Sequence, residues 1–284
     1  MSDRDAARRP PTSRSPSVRA PAARRDMPPG VGALAYVLPV YIALPLLALP
    51  FATTPRALAE HLVSAAALRA LWLSLATTVA ATAITAVLGA PLAYVLARRP
   101  VRGRAAIDTL VDLPITIPPV VAGVALLLVF GRHGLLGRSF ELAGIHVPFT
   151  TAAVVMAQVF VASPFFVKAA RAGFETVAPG LEDAARTLGA SPWRVFWTVT
   201  VPLARPALAA GIVLAWARAL SEFGATMMFA GNLPGRTQTL TLAVMSAMES
   251  DTDTAVALSV LSIAIAAGAL VGARRFACSR GLPF

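Results

Sequence analysis

The sequence predicts an all-α membrane protein built on six transmembrane helices. Hydrophobic residues make up 57% of its 284 positions and charged residues only 14%, where a soluble domain carries roughly a quarter. Six separate stretches hold the run of about 20 mostly apolar residues that a helix needs to cross roughly 30 Å of hydrocarbon. The basic residues, which set a formal net charge of +11, fall in short clusters between those stretches. That distribution argues against a nucleic-acid reader, which needs its cations along one face or groove.

Residues 1–30 are rich in Arg, Pro, Ala and Ser and contain no aromatic residue. Such a stretch buries too little apolar surface to offset the entropy of ordering, so a disordered tail is expected. The apolar run that follows is longer than a signal-peptide core and is expected to stay as an anchor. A six-span domain is expected over 31–275 and a short C-terminal end over 276–284. The spans fall near 33–52, 70–97, 110–130, 149–167, 206–230 and 255–273.

Lys and Arg orient these spans, because cytoplasmic loops retain an excess of them. Seven lie in the tail, four in "ARRPVRGRAAID", five in the 168–205 insert (Lys168, Arg171, Arg186, Arg194, Arg205) and three at the C-terminal end. The other side holds Arg56, Arg69, Arg132, Arg138 and Arg236. Both termini and the insert are therefore expected in the cytoplasm.

Prolines recur inside the spans at Pro39, Pro45, Pro91 and Pro164. Each removes a helix hydrogen bond that lipid cannot replace, which fits either a kink between packed helices or a turn facing a cavity. Pro118 and Pro119 are adjacent, and force an irregular turn at the start of the third span, a feature suited to a transport pathway. The single cysteine, Cys278, excludes an internal disulfide and a CxxC site. His61, His133 and His146 have no ligand spacing and read as loop residues.

The insert carries "LEDAARTLGASPWRVFWTVTVPLARP", residues 181–206. Pro179 and Gly180 form a turn, and "LEDAARTL" is helix-prone with its acids in the first turn, where the helix dipole favours them. Gly189 closes that helix, and Ser191 as N-cap with Pro192 at the first position opens another. Ala184, Ala185 and Leu188 share one face by their spacing, with Glu182, Asp183 and Arg186 decorating the rest. A small apolar face of this kind suits insertion into a groove on another protein. The helix is too short to stand alone in water and needs support.

This stretch resembles the cytoplasmic loop of permease subunits in binding-protein-dependent ABC importers. Their pattern is Glu-Ala-Ala, three residues, Gly, nine residues, Ile, one residue, Leu-Pro. Here Asp183, Ala184 and Ala185 fill the triplet, Gly189 follows, and Val199, Val201 and Pro202 take the final positions. The spacing is intact, with Asp in place of Glu and Val in place of Ile and Leu. The resemblance implies a type I importer fold in which the loop, about 169–205, is a coupling helix that docks into a cleft on a cytoplasmic ATPase. Lys168 is the only lysine and no Gly-Lys-Ser/Thr occurs, so a P-loop cannot form. No enzyme activity and no cofactor are expected on this chain, and ATP is expected on the partner.

In the fifth span, "WARALSEFGAT" sets Arg218 and Glu222 four residues apart, close enough to pair. Charges in a membrane helix cost about 2.5–3.5 kcal/mol each and face a bundle interior or a cavity. They read either as a structural ion pair or as a lining or gate of the pathway. Ser221 and Thr226 are read on the same helix, offering hydroxyls to an oxyanion. From Leu113 to Leu242 the chain resembles the permeases of molybdate importers, with tungstate and sulfate permeases as close relatives. The matching pieces are "LPITIPPVVAG", "FGRHGLLG", "FTTAAVVMAQVFVASPFFVKAA", the coupling loop and "AGNLPGRTQTLTLAV". Ser221 departs from that family's usual Gly.

The resemblance implies two copies of the chain around a central pathway in the cytoplasmic membrane of a prokaryote. It further implies an ATPase dimer below and an extracytoplasmic binding protein delivering a tetrahedral oxyanion, molybdate or tungstate, from above. A sulfate or thiosulfate permease is the alternative. A stand-alone secondary transporter or channel is a distant one, since apart from Glu222 and Asp112 the spans lack the acids of a coupling-ion site.

Overall fold

A computed structural model describes residues 31–279. The tail expected at 1–30 and the last five residues of the C-terminal end lie outside the described residues. Helix α1 (Val31–Ala48) is apolar on every side, as a lipid-embedded helix is. It keeps Pro39 and Pro45 within its length, and a 3₁₀ turn, Leu49–Phe51, continues it.

Helix α2 (Pro55–Leu62) starts at Thr54, whose hydroxyl accepts from the Ala57 amide, and α3 (Ala65–Arg98) starts in the same way at Ser64. The 34 residues of α3 span about 51 Å at 1.5 Å per residue. Its buried face is a row of small residues, among them Ala67, Ala70, Ser74, Thr78, Ala81 and Thr85. Small side chains let helices approach closely in a membrane. Thr78 and Thr82 turn their hydroxyls back onto the carbonyls of Ser74 and Thr78, each at 2.7 Å.

Helices α4 (Arg104–Thr116) and α5 (Pro119–Phe130) meet at 118° across Ile117 and Pro118. The third span is thus broken at its proline pair and is not one straight helix over 110–130. A short α6 (Gly137–Leu142) leads into α7 (Thr151–Thr176), the central helix, which packs against both α3 and α4. Lys168 and Arg171 of α7 pair with Asp112 and Asp108 of α4 at 3.0 and 2.7 Å.

Helix α8 (Pro179–Thr187) lies in the loop after α7, and α9 (Pro192–Val195) passes through a π turn, Phe196–Thr200, into α10 (Val201–Leu220). Pro202 and Pro206 near the start of α10 lack amide protons, and the widened turn precedes them. Helix α11 (Gly224–Ala230) follows a break, then α12 (Leu240–Met248) and α13 (Thr252–Ser279).

The segment Pro192–Leu220 is long and apolar enough to cross a membrane. Its start lies some fourteen positions before the expected 206, because the second helix of the insert does not end but runs on into the membrane. The loop itself contracts to 177–191, since α7 extends to Thr176. With Leu34–Phe51, Ala65–Arg98, Thr151–Thr176 and Thr252–Gly272, five such helices stand among the described residues, and the bent α4–α5 pair makes the sixth segment. Helix α13 runs past residue 275 to Ser279. The main core joins Ala93 of α3, Phe166, Ala170 and Phe174 of α7, and Ala204, Ala215 and Ala219 of α10.

Helices α2, α6 and α12 are too short to cross a membrane and escape a reading based on hydropathy. His61 is a helix residue, not a loop residue: its Nδ1 lies 2.8 Å from the Thr254 hydroxyl.

Candidate functional site

The 177–191 loop has a built end. Pro179 occupies the first turn of α8, where a missing amide proton costs nothing. At the other end Gly189 takes φ +86°, its amide donates to the Arg186 carbonyl at 2.9 Å, and the Ala190 amide donates to the Ala185 carbonyl at 3.1 Å. This paired closure satisfies carbonyls that would otherwise be orphaned, and it needs the left-handed backbone that glycine adopts freely. Ser191 then caps the next helix, its hydroxyl accepting from the Arg194 amide at 3.3 Å.

Leu188 is 89% exposed and Ala184 is exposed, while Ala185 is half-buried. The small apolar face is open, as the spacing predicts. Asp183 is exposed too and pairs with Arg186 at 3.0 Å. Glu182 departs from the expected surface decoration: it is only 3% exposed. Its Oε1 accepts from the Thr200 hydroxyl at 2.7 Å and lies 3.2 Å from Arg98 Nη2, and its Oε2 lies 3.8 Å from Arg186. Arg98 Nη2 also donates to the Val177 carbonyl at 2.6 Å. These contacts are the support that a nine-residue helix needs, and they come from α3 and from the approach to α10. Pro202 sits half-buried at the start of α10.

An apolar groove of about 1110 Å³ opens beside this loop, walled by Ala90 and Tyr94 of α3, Leu208 and Ile212 of α10, and Phe196 and Trp197 of the π turn. An aromatic cluster supports its rim: Tyr94 meets Phe174 and Phe196 edge-on, Trp193 stacks on Phe196, and Trp197 stands edge-on to both. Trp193 is 71% exposed and Trp197 is also exposed.

The second candidate region lies where two helices break. Helix α10 ends at Leu220, Ser221 caps it with its hydroxyl donating to the Arg218 carbonyl at 3.1 Å, and α11 begins at Gly224. Ser221 and Thr226 therefore do not share a helix. Ser221 is exposed, whereas Thr226 is fully buried with its hydroxyl unpartnered. Arg218 and Glu222 do pair, at 2.8 Å, as an ion contact without hydrogen-bond alignment at Glu222 Oε2. Glu222 is 1% exposed, and its Oε1 accepts from the Ala225 amide at 2.7 Å. The acid thus caps the first turn of α11 as well as neutralising Arg218.

This break abuts the other one. A Cβ added at Gly224 would stand 3.0 Å from Pro119 Cβ and 3.1 Å from the Val120 amide nitrogen. Pro118 and Pro119 begin α5 directly beside the start of α11, so the proline pair and the Ser221–Phe223 break form one junction. Among the described residues no cluster of His, Cys, Asp or Glu is arranged to hold a metal.

The family model for the binding-protein-dependent transport system inner membrane component matches residues 86–274. The chain belongs to that family. The matched range takes in part of α3, both breaks, the 177–191 loop and most of α13. The permease is 43% identical over 233 residues to the molybdenum transport system permease protein ModB of Mycobacterium tuberculosis, covering 82% of this chain and 88% of that one. It is 41% identical over 212 residues to the chloroplastic sulfate permease 2 of Chlamydomonas reinhardtii, covering 74% and 58%. Among solved structures it is similar in fold to a bacterial ABC transporter involved in the import of the acidic polysaccharide alginate, with TM-score 0.67, 16% identity and 86% and 93% coverage. The chain is accordingly a multi-pass inner-membrane permease with the type I importer fold.

Sequence reasoning missed Arg98 and Thr200. Arg98 reads as one more cytoplasmic arginine, and Thr200 occupies an unspecified position of the loop pattern. A signal was present for Glu182: neighbours on a helix stand about 100° apart, so the two adjacent acids point in different directions.

Proposed function

We propose that this permease is the membrane-spanning subunit of an ATP-driven importer of molybdate or tungstate. Two copies surround a central pathway, an ATPase dimer docks from the cytoplasm against α8, and an extracytoplasmic binding protein delivers the oxyanion. Both termini lie in the cytoplasm. The likeness to the molybdenum permease over 88% of that protein's length, against 58% for the sulfate permease, carries the choice of solute.

In this reading ATP binding closes the ATPases, the two α8 helices approach each other, and the spans turn outward to receive the anion. Hydrolysis resets them inward. The exposed face of Asp183, Ala184 and Leu188 is the docking surface, and Gly189 fixes its end. The junction of Pro118 and Pro119 with Ser221, Glu222 and Thr226 lines or gates the pathway. An anion in transit must be held weakly, by dipoles and hydroxyls, because tight binding would stop release. Solute choice therefore falls mainly to the binding protein.

The test is uptake of labelled molybdate by cells with and without this chain, with unlabelled tungstate or sulfate as competitor. Deletion should abolish high-affinity uptake, and tungstate but not excess sulfate should compete in the parent cells. Undiminished molybdate uptake with a sulfate defect would assign the chain to sulfate import instead.

A further inference from the structure

The loop has one acid facing out and one facing in, and the family pattern gives a place only to the first. Glu182 holds the Thr200 hydroxyl at 2.7 Å and Arg98 at 3.2 Å through the same oxygen. Arg98 in turn donates to the Val177 carbonyl at 2.6 Å. One buried carboxylate thereby ties the first turn of α8 to the end of α3, to the chain leaving α7, and to the π turn that feeds α10. The opposite surface, with Asp183, Ala184 and Leu188, is open.

A body pressing on that open surface cannot shift α8 alone. Either the buried bonds break, which strands charged groups without partners at high cost, or the partners travel with the helix. Thr200 lies near the start of the continuous segment Pro192–Leu220, and the Arg218–Glu222 pair stands at its far end beside the break. The π turn at Phe196–Thr200 is the place where that segment already departs from regular helix, and such turns occur at functional sites.

We infer that Glu182 is a positioning residue that passes displacement of α8 into α3 and α10, and along α10 to the junction at Ser221–Phe223. The inference rests on the proposed reading of α8 as the element that docks the ATPase. The two acids then serve different ends, Asp183 in the docking surface and Glu182 in transmission. The path is physically continuous, as coupling between distant sites requires.

The experiment uses the permease reconstituted with its ATPase in proteoliposomes, with its binding protein supplied loaded with molybdate. Three quantities are read: ATPase retained on the tagged permease, the ratio of hydrolysis with loaded binding protein to hydrolysis without it, and molybdate uptake. Glu182→Gln removes the charge at constant shape, and Thr200→Val removes only the hydroxyl bond. Both variants should retain the ATPase while the stimulation ratio and uptake fall about tenfold, the scale of one lost charge-assisted hydrogen bond. Asp183→Asn should instead weaken retention.

Wild-type stimulation in both inward variants would overturn the inference. So would loss of ATPase retention by a folded Glu182→Gln protein, which would put Glu182 on the docking surface. If Glu182→Gln does not reach the membrane, Thr200→Val decides, and normal stimulation in it overturns the inference. A wild-type permease that retains no ATPase would overturn the proposed function itself, and the inference with it.

Discussion

Replacing Gly123 with alanine would drive a methyl group into the backbone of α11. A Cβ at this position would stand 2.7 Å from the Ala225 carbonyl oxygen, 2.7 Å from Met228 Cβ and 2.9 Å from Ala225 Cα. None of these atoms can swing aside by a rotamer change, so α5 and α11 must separate by about 1 Å to restore ordinary contact near 3.5–4.0 Å. Overpacking of this kind costs about 1–3 kcal/mol, offset by about 1 kcal/mol from the better helix propensity of alanine. The net loss against the wild type is about 0–2 kcal/mol, or roughly 0–8 °C in Tm for a domain of this size, whereas against an alanine placed at an open helical glycine, which gains the same propensity, the full cost of about 1–3 kcal/mol is read. Thermal unfolding of the purified permease in detergent reads it. Gly268→Ala is the control, because a Cβ there meets nothing within 4 Å. A Tm for Gly123→Ala equal to that of Gly268→Ala would refute the close approach of the two broken helices.

Gly189→Val meets no neighbour, since nothing lies within 4 Å of a Cβ there, but φ +86° strains any side chain by about 1–2 kcal/mol. It should abolish ATPase co-purification while lowering Tm by no more than the roughly 2–8 °C that this strain allows; normal co-purification would dismiss the glycine closure as a requirement for docking. Arg218→Met strands the buried Glu222 carboxylate and should cost about 3 kcal/mol or more, whereas adding Glu222→Gln should recover part of that loss. Strictly additive Tm changes for the two single variants would count against the pair. The Thr254 hydroxyl donates to the Asp251 carboxylate and holds its pKa below the usual value. The resulting stabilisation is present above the ordinary carboxylate range and is lost as the pH falls through the lowered value. Thr254→Val should weaken this acid-side dependence in a pH series of thermal unfolding, the backbone amides of Asp253 and Thr254 keeping the remainder, and an identical series would refute the hydroxyl as its main origin.

Hydropathy made the spans legible, because a membrane helix is defined by its solvent and any long apolar run must bury itself in lipid. It located α3, α13 and the start of α7 within about six residues, while α7 runs nine residues past the expected 167, and the adjacent prolines marked the irregular turn in the third span. It failed at α10 for a physical reason: "SPWRVFWTV" carries the capping signal of a short helix and the apolar content of a long one, and only packing against α7 decides that it runs on. It failed also at Ser221, where a helix-compatible sequence stops because Glu222 turns to cap α11 with its side chain. The open face of α8 followed from spacing alone. The inward acid did not, since burial of Glu182 depends on Arg98, far away in the sequence at the end of α3.

Two of the four tryptophans in the chain, Trp193 and Trp197, stand exposed at the foot of α8 with Phe196 against them. Indole emission shifts to shorter wavelength in drier surroundings, and these rings sit at the membrane-interface end of the segment Pro192–Leu220, beside α8. The permease therefore carries its own optical probe. On the proposed docking of an ATPase at α8, a permease with Trp72 and Trp216 changed to phenylalanine would report the arrival of a tryptophan-free ATPase through its two remaining indoles, without any attached dye.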